Sequence, residues 1–395
     1  MKGETLALLL ASIRYSLGTL EKEELVNKIH SHTIDWSLLL KLIQFHRLNS
    51  LLYNVFCEMG GTRQDFLECL KEKHYTNIVK NLLLSTKLSE IFKQFKSKKI
   101  PLLSVKGLSV AHWLYHKTGF RSAGDIDLLI SKKDCDKALL CMKSMGYTLV
   151  YFPERLKPGS QFSKQFVRTQ KDFVFIDEQS GVVIELHWRL SIIYQAFPLD
   201  FDKAWQNKVQ WSMEGGAIQS LSATEHAVFI CYHAARHQWC HMFWLYDIGL
   251  LIQNQETCWE KIFHQASLLN AQVSVMSSLL LAAEVFRIDI SGIIQISEQN
   301  EQYNPILSEA RKILYSENPE KLINKVEDFT SIRNELHWLQ CLTHQTNIIQ
   351  HWLRYILSPT ASDWSSIKLP DRLTFLYIFW RPLRLIFKQL LYKSS

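Results

Sequence analysis

The stretch Asp125-Ile126-Asp127-Leu128-Leu129-Ile130 constrains this chain more than any other. Side chains of a β-strand leave alternately on opposite faces, so a strand here sends Asp125 and Asp127 to one face and Ile126 and Leu128 to the other. The apolar residues commit the strand to a core and leave two carboxylates side by side. Such charges repel unless a cation offsets them, and paired oxygen ligands at this spacing suit a divalent ion such as Mg²⁺. Asp-x-Asp alone also fits an exposed acidic strand, so its neighbours decide.

Upstream, Leu102-Leu103-Ser104-Val105 has strand length, and Lys106-Gly107-Leu108-Ser109 opens a segment, Val110 to Tyr115, with helical spacing. A strand, a glycine turn and a helix start bring backbone N–H groups toward an anion; Gly107 permits close approach, and Lys106 and Ser109 add donors. Downstream, a helix over Lys132 to Met145 stops at Gly146, and Tyr147 to Phe152 follows as a strand. Phe173–Asp177 and Val182–Trp188 flank Glu178-Gln179-Ser180-Gly181 as a hairpin. Glu185 and His187 share a face of its second strand, where a carboxylate among apolar residues needs a reason.

The remaining sequence reads as helical. Residues 1–97 form an N-terminal helical region, 98–190 the core, and 191–395 a C-terminal helical region, in keeping with the two or three domains expected of 395 residues. Ser222-Ala223-Thr224-Glu225 is a capping box opening a helix with His226, His233 and His237. His233 and His237 stand one turn apart, with three readings: a zinc pair joined by Asp247, a substrate-facing surface with Arg236 near phosphate, or histidines buried between helices. The end, Leu373 to Tyr392, is apolar and aromatic with Arg381, Arg384 and Lys388 interleaved. It reads as a closing helix packed on the body, with contact to an anionic membrane surface as the alternative.

Composition narrows the classes. Apolar residues at 47% and charged residues at 21% supply folded cores rather than disorder. A net charge of +7 fits an anionic substrate, but no dense basic and aromatic stripe argues for nucleic acid. The eight cysteines are scattered without a Cys-x-x-Cys pair, which excludes a disulfide framework or zinc ribbon and leads us to expect reduced thiols in the cytoplasm. Leu6 to Ala11 is too short for a signal peptide and follows Glu4, and no run of uncharged apolar residues reaches spanning length.

Lys106-Gly107, Arg121, Asp125-Ile126-Asp127-Leu128-Leu129, Gly146-Tyr147, Glu185-Leu186-His187-Trp188, His233-Ala234-Ala235-Arg236-His237 and Trp244-Leu245-Tyr246-Asp247 together resemble the DNA polymerase β-like nucleotidyltransferase superfamily, and within it an uncharacterised bacterial nucleotidyltransferase family. The resemblance covers residues 100–250 and extends loosely into the flanking helices. It departs from the usual pattern at the turn, where Leu108 follows Gly107, and in the long gap from Asp127 to Glu185, which makes Asp177 a substitute third acid.

The resemblance implies an α+β fold, with a small mixed sheet and helices between two helical regions. It implies Mg²⁺-dependent transfer of a nucleoside monophosphate from a nucleoside triphosphate to an acceptor, with Mn²⁺ as the substitute ion. Metal held by carboxylates balances the charge on the phosphoryl oxygens and the leaving pyrophosphate. Asp125 and Asp127 are assigned to metal and triphosphate, and Glu185 to the nucleophile-side metal and the acceptor's proton. Lys106, Gly107, Ser109, Arg121, His187 and Arg236 are assigned to the nucleotide, Arg121 as a bidentate phosphate ligand. The acceptor is a peptide, sugar, small metabolite or protein side chain ahead of a nucleic-acid end. A catalytically silent scaffold is the rival, disfavoured because all three acids are present.

Overall fold

The computed structural model describes residues 2–31, 33–115, 119–192, 196–213, 216–294, 303–318, 353 and 356–392. The stretches 295–302, 319–352 and 354–355 of the expected C-terminal helical region lie outside the described residues, as does Cys341; the seven described cysteines are free thiols. The protein is mixed α and β, with one seven-stranded mixed sheet and many helices. It divides into two compact units, each discontinuous in sequence.

The first unit comprises residues 1–85, 106–123 and 222–343 and is helical over its described residues. Helix Lys2–Ser16 buries Leu6, Leu9, Leu10 and Ile13 at helical steps. The Arg14 guanidinium donates at 2.8 and 3.0 Å to the Val285 carbonyl at the end of helix Gln272–Phe286. The capping box forms: Ser222 Oγ accepts from Glu225 N–H at 3.3 Å, the Glu225 carboxylate accepts from Ser222 N–H at 3.1 Å, and helix Ala223–Arg236 begins there.

The second unit comprises residues 86–105, 124–221 and 344–395 and contains the whole sheet. Its strands are β1 Leu103–Ser104, β2 Ile126–Leu129, β3 Thr148–Leu149, β4 Asp172–Ile176, β5 Val183–His187, β6 Val209–Met213 and β7 Gly216–Ser220, in the order β3-β4-β5-β2-β1-β7-β6. β2–β5 and β1–β7 pair in parallel and the other neighbours antiparallel. All four residues of β2 are buried, so its one carboxylate, Asp127, lies inside the sheet unit.

Several elements differ from the expectation. The strand expected over Tyr147 to Phe152 shrinks to β3, and the helix from Lys132 starts as a 3₁₀ turn before settling into Cys135–Ser144. The return to helix after Ser191 is corrected: β6 and β7 form an antiparallel hairpin at the sheet edge. Val209, Trp211 and Met213 carry the period-two alternation of that edge strand, a short signal beside the longer helical runs around it. Near the chain's end, helix Ala361–Ser366 places Trp364 against the rings of Phe152, Phe162 and Phe166. Asp371 then accepts the N–H groups of Gln161 and Phe162 at 3.0 and 2.8 Å, capping helix Gln161–Thr169.

Candidate functional site

Strand register assembles an acidic cluster in the sheet unit. Parallel β2–β5 pairing sets Asp127 beside Glu185 and Leu129 beside His187, so Asp127, Glu185 and His187 leave on one face. Antiparallel β4–β5 pairing then brings Asp172 opposite His187. His187 Nε2 lies 3.1 Å from Asp127 Oδ1 and 3.3 Å from Glu185 Oε2, and its Nδ1 lies 3.4 Å from Asp172 Oδ2. The Lys171 ammonium contacts Asp172 and lies 3.6 Å from Glu185.

Donor atoms of Asp127, Glu185 and His187 all lie within 4.8 Å of one another; among the described residues this is the one His, Cys, Asp or Glu group of three or more with that geometry. Ligands about 2.1 Å from a common ion sit up to about 4.2 Å apart, so small side-chain shifts close this set on a divalent cation. Its chemistry fits such an ion: two carboxylates and an imidazole suit a first-row divalent metal. Electrostatics agree. Burial and Lys171 push the His187 imidazole down, but the hydrogen bonds it donates to Asp127 and Glu185, with Asp172 nearby, raise it above its ordinary value. Burial would raise the Glu185 carboxyl, yet His187 and Lys171 hold it at about 2. The cluster carries surplus negative charge that favours a cation.

The remaining acids stand apart. Asp125 occupies the bend before β2, where strand alternation has not begun, and is outside the metal-holding group. Asp177 does not replace Glu185: it pairs with Lys87 at 2.9 Å and accepts from Gln179 N–H and Ser180 Oγ in the hairpin turn. The Lys87 hydrogen bond first, then Ser180, draws its carboxyl down to about 2.

In the helical unit, Gly107 adopts φ 58° and ψ −111°, a backbone region that side chains disfavour, immediately before the single turn Leu108–Val110. Ala111–Tyr115 continues as a π-type turn and Ser109 is buried. Arg121 departs from its assignment as a bidentate phosphate ligand. Its Nε lies 3.0 and 3.1 Å from the two carboxylate oxygens of Asp247, its Nη2 is 2.9 Å from Oδ2, and its Nη1 donates at 3.1 Å to the Gly107 carbonyl. Tyr115 also donates to Asp247 at 2.6 Å. The guanidinium edge that a phosphate would take is thus held by a buried carboxylate, because Asp247 at 1% exposure needs a charged partner.

Lys106 and Arg236 fall in a positive environment with Arg121. Burial first, then the charges of Lys106, His237, Arg236 and Arg121, drives the His233 imidazole well below its usual value. The zinc reading of His233, His237 and Asp247 does not hold: Asp247 is bound to Arg121, and the two imidazoles, 4.7 Å apart, pack against Trp244.

Lys171 and Asp172 escaped sequence reasoning although the signal was present. The hairpin pairs Ile176 with Val183, and stepping outward pairs Asp172 with His187.

The mixed sheet thus carries a carboxylate and histidine cluster that could hold a metal ion. The family described as uncharacterised nucleotidyltransferase matches residues 32–287, and the chain belongs to it. It is therefore a transferase of phosphorus-containing groups. No curated protein and no solved structure matches the chain. Among the described residues no helix is long and apolar enough to cross a membrane.

Proposed function

We propose that the protein moves a nucleoside monophosphate from a nucleoside triphosphate to a nucleophilic acceptor, with release of pyrophosphate, using a divalent cation held by Asp127, Glu185 and His187. The carrying observation is the mutual approach of those three side chains on one face of β2 and β5. The bound cation supplies charge to phosphoryl oxygens and lowers the cost of expelling pyrophosphate. The imidazole makes Mn²⁺ a better fit than Mg²⁺.

Each residue has a distinct task. Asp127 and Glu185 contribute ligand oxygens, and Glu185, partly exposed at the cluster's rim, takes the acceptor's proton. Asp172 stands 3.4 Å from the far nitrogen of the His187 ring, which makes no hydrogen bond, and a small shift of Asp172 would let it fix a ligating imidazole. Lys171 balances the carboxylates while they carry no cation. Asp125 is assigned to the triphosphate side of the metal. Lys106, Gly107, Ser109 and Arg236 are assigned to triphosphate oxygens, and Arg121 becomes a positioning residue that holds the Gly107 carbonyl.

Calorimetric titration of the four nucleoside triphosphates, with Mg²⁺ or Mn²⁺, into the wild type and Asp127→Ala tests this reading. Metal-dependent binding of a triphosphate that disappears in the folded variant is expected. A folded wild type that binds none of the four under either metal would overturn the enzyme reading in favour of a silent scaffold.

A further inference from the structure

The C-terminal helix Tyr377–Tyr392 turns charge inward and apolar side chains outward. Arg381 is 1% exposed; its Nη1 lies 2.8 Å from Asp363 Oδ2 and donates at 3.0 Å to Thr360 Oγ1. Arg384 Nε lies 2.5 Å from the other oxygen of Asp363, which is fully buried. Tyr377 is also fully buried, its hydroxyl donating to the Ile367 carbonyl and accepting from Leu369 N–H. These contacts set the helix's rotation, because a turn about its axis would strand a buried carboxylate.

The opposite face is consequently apolar. Phe375, Phe379, Leu383, Ile386 and Phe387 recur at helical steps, and each is at least half exposed. A helix on a water-facing surface normally shows the reverse pattern, and a continuous outward apolar stripe marks an interface.

Charge selects the occupant. From Ala361 to Ser395 the sequence carries six Lys and Arg against two Asp, a net of +4. Asp363 is committed to Arg381 and Arg384, and Asp371 to backbone N–H groups. Lys368 and Arg372 stand exposed where the stripe begins. A second copy would bring its own exposed Lys368 and Arg372 against those of the first, whereas an anionic lipid surface complements them. We propose that this helix docks in the plane of an anionic membrane surface, with the phenylalanine and leucine stripe at the headgroup–acyl boundary and Lys368 and Arg372 on lipid phosphates. This proposal is independent of the metal reading.

Flotation of the full chain with phosphatidylcholine vesicles, with and without one-third phosphatidylglycerol, tests it. Binding to the anionic vesicles alone is expected, weakened by salt. Phe379→Glu/Phe387→Glu should abolish it, and Lys368→Glu/Arg372→Glu should weaken it roughly tenfold or more, with circular dichroism of both variants unchanged. The proposal is overturned if the wild type floats with neither composition. It is also overturned if light scattering shows a dimer that Phe379→Glu/Phe387→Glu converts to monomer, since a second copy would then cover the face.

Discussion

His187 is buried and His233 partly buried in the same chain, yet their surroundings drive them in opposite directions. In the sheet unit, burial and Lys171 oppose protonation of His187, and Asp127, Glu185 and Asp172 overcome them. In the helical unit, burial is joined by Lys106, His237, Arg236 and Arg121, and His233 is held neutral. Residue type does not decide the state of these groups; the sign of the charge gathered around each does. The sheet unit's cluster favours a cation, and the helical unit's favours an anion.

The comparison breaks most sharply at the acids. Asp127→Ala should lower transferase turnover on the order of 10²–10³-fold or more with the fold intact, read as pyrophosphate release in single-turnover assays. Asp125→Ala, whose side chain lies outside the metal-holding group, should cost less than Asp127→Ala; equal losses would place both acids on the metal.

Next comes the buried pair beneath the basic region. Arg121→Ala leaves Asp247 buried and uncompensated, which should cost about 3–5 kcal/mol in denaturant unfolding. Arg121→Ala/Asp247→Leu should recover much of that loss, separating a structural role for Arg121 from a phosphate contact.

How far sequence reached differs between these regions. The strand carrying Asp127, the hairpin with Glu185 and His187 on one face, and the Ser222 capping box were legible because each rests on spacing within a few residues. The partner of Arg121 was not, since Asp247 stands 126 residues away and carries no local mark of the pairing. Asp125 was read into the strand because alternation cannot show where a strand starts. The tail was read as packed on the body, and half of that holds: Tyr377 and Arg381 pack inward. Its outward apolar face depends on Asp363 capturing two arginines, a tertiary contact that hydropathy would assign the opposite way.

Smaller effects sharpen the contrast. Burial pulls His46 down to about 3, His241 adding to it, and burial followed by Arg47 pulls His241 down to about 4, both from 6.5. Their folded values lie below the unfolded ones, so the neutral imidazoles contribute stability fully above pH 6.5 and lose it as pH falls toward 4 and below. Thermal melts of the wild type at about pH 7.5 and about pH 5 should show lower stability in acid, reduced by His46→Gln. The smallest effect belongs to Asp177→Asn, which weakens a partly exposed pair with Lys87 while keeping hydrogen-bonding capacity in the turn, and should cost about 1 kcal/mol in the same melts without touching turnover.

The proposed chemistry requires that Asp127, Glu185 and His187 together hold a metal ion. Electron paramagnetic resonance of Mn²⁺ titrated into the full chain measures this directly. A bound ion whose spin-echo modulation reports a coordinated imidazole nitrogen is expected, with the nitrogen signal lost in His187→Gln and the bound ion lost in Asp127→Ala/Glu185→Gln. A folded wild type that leaves Mn²⁺ in solution, or one whose binding survives Asp127→Ala/Glu185→Gln unchanged, would contradict it.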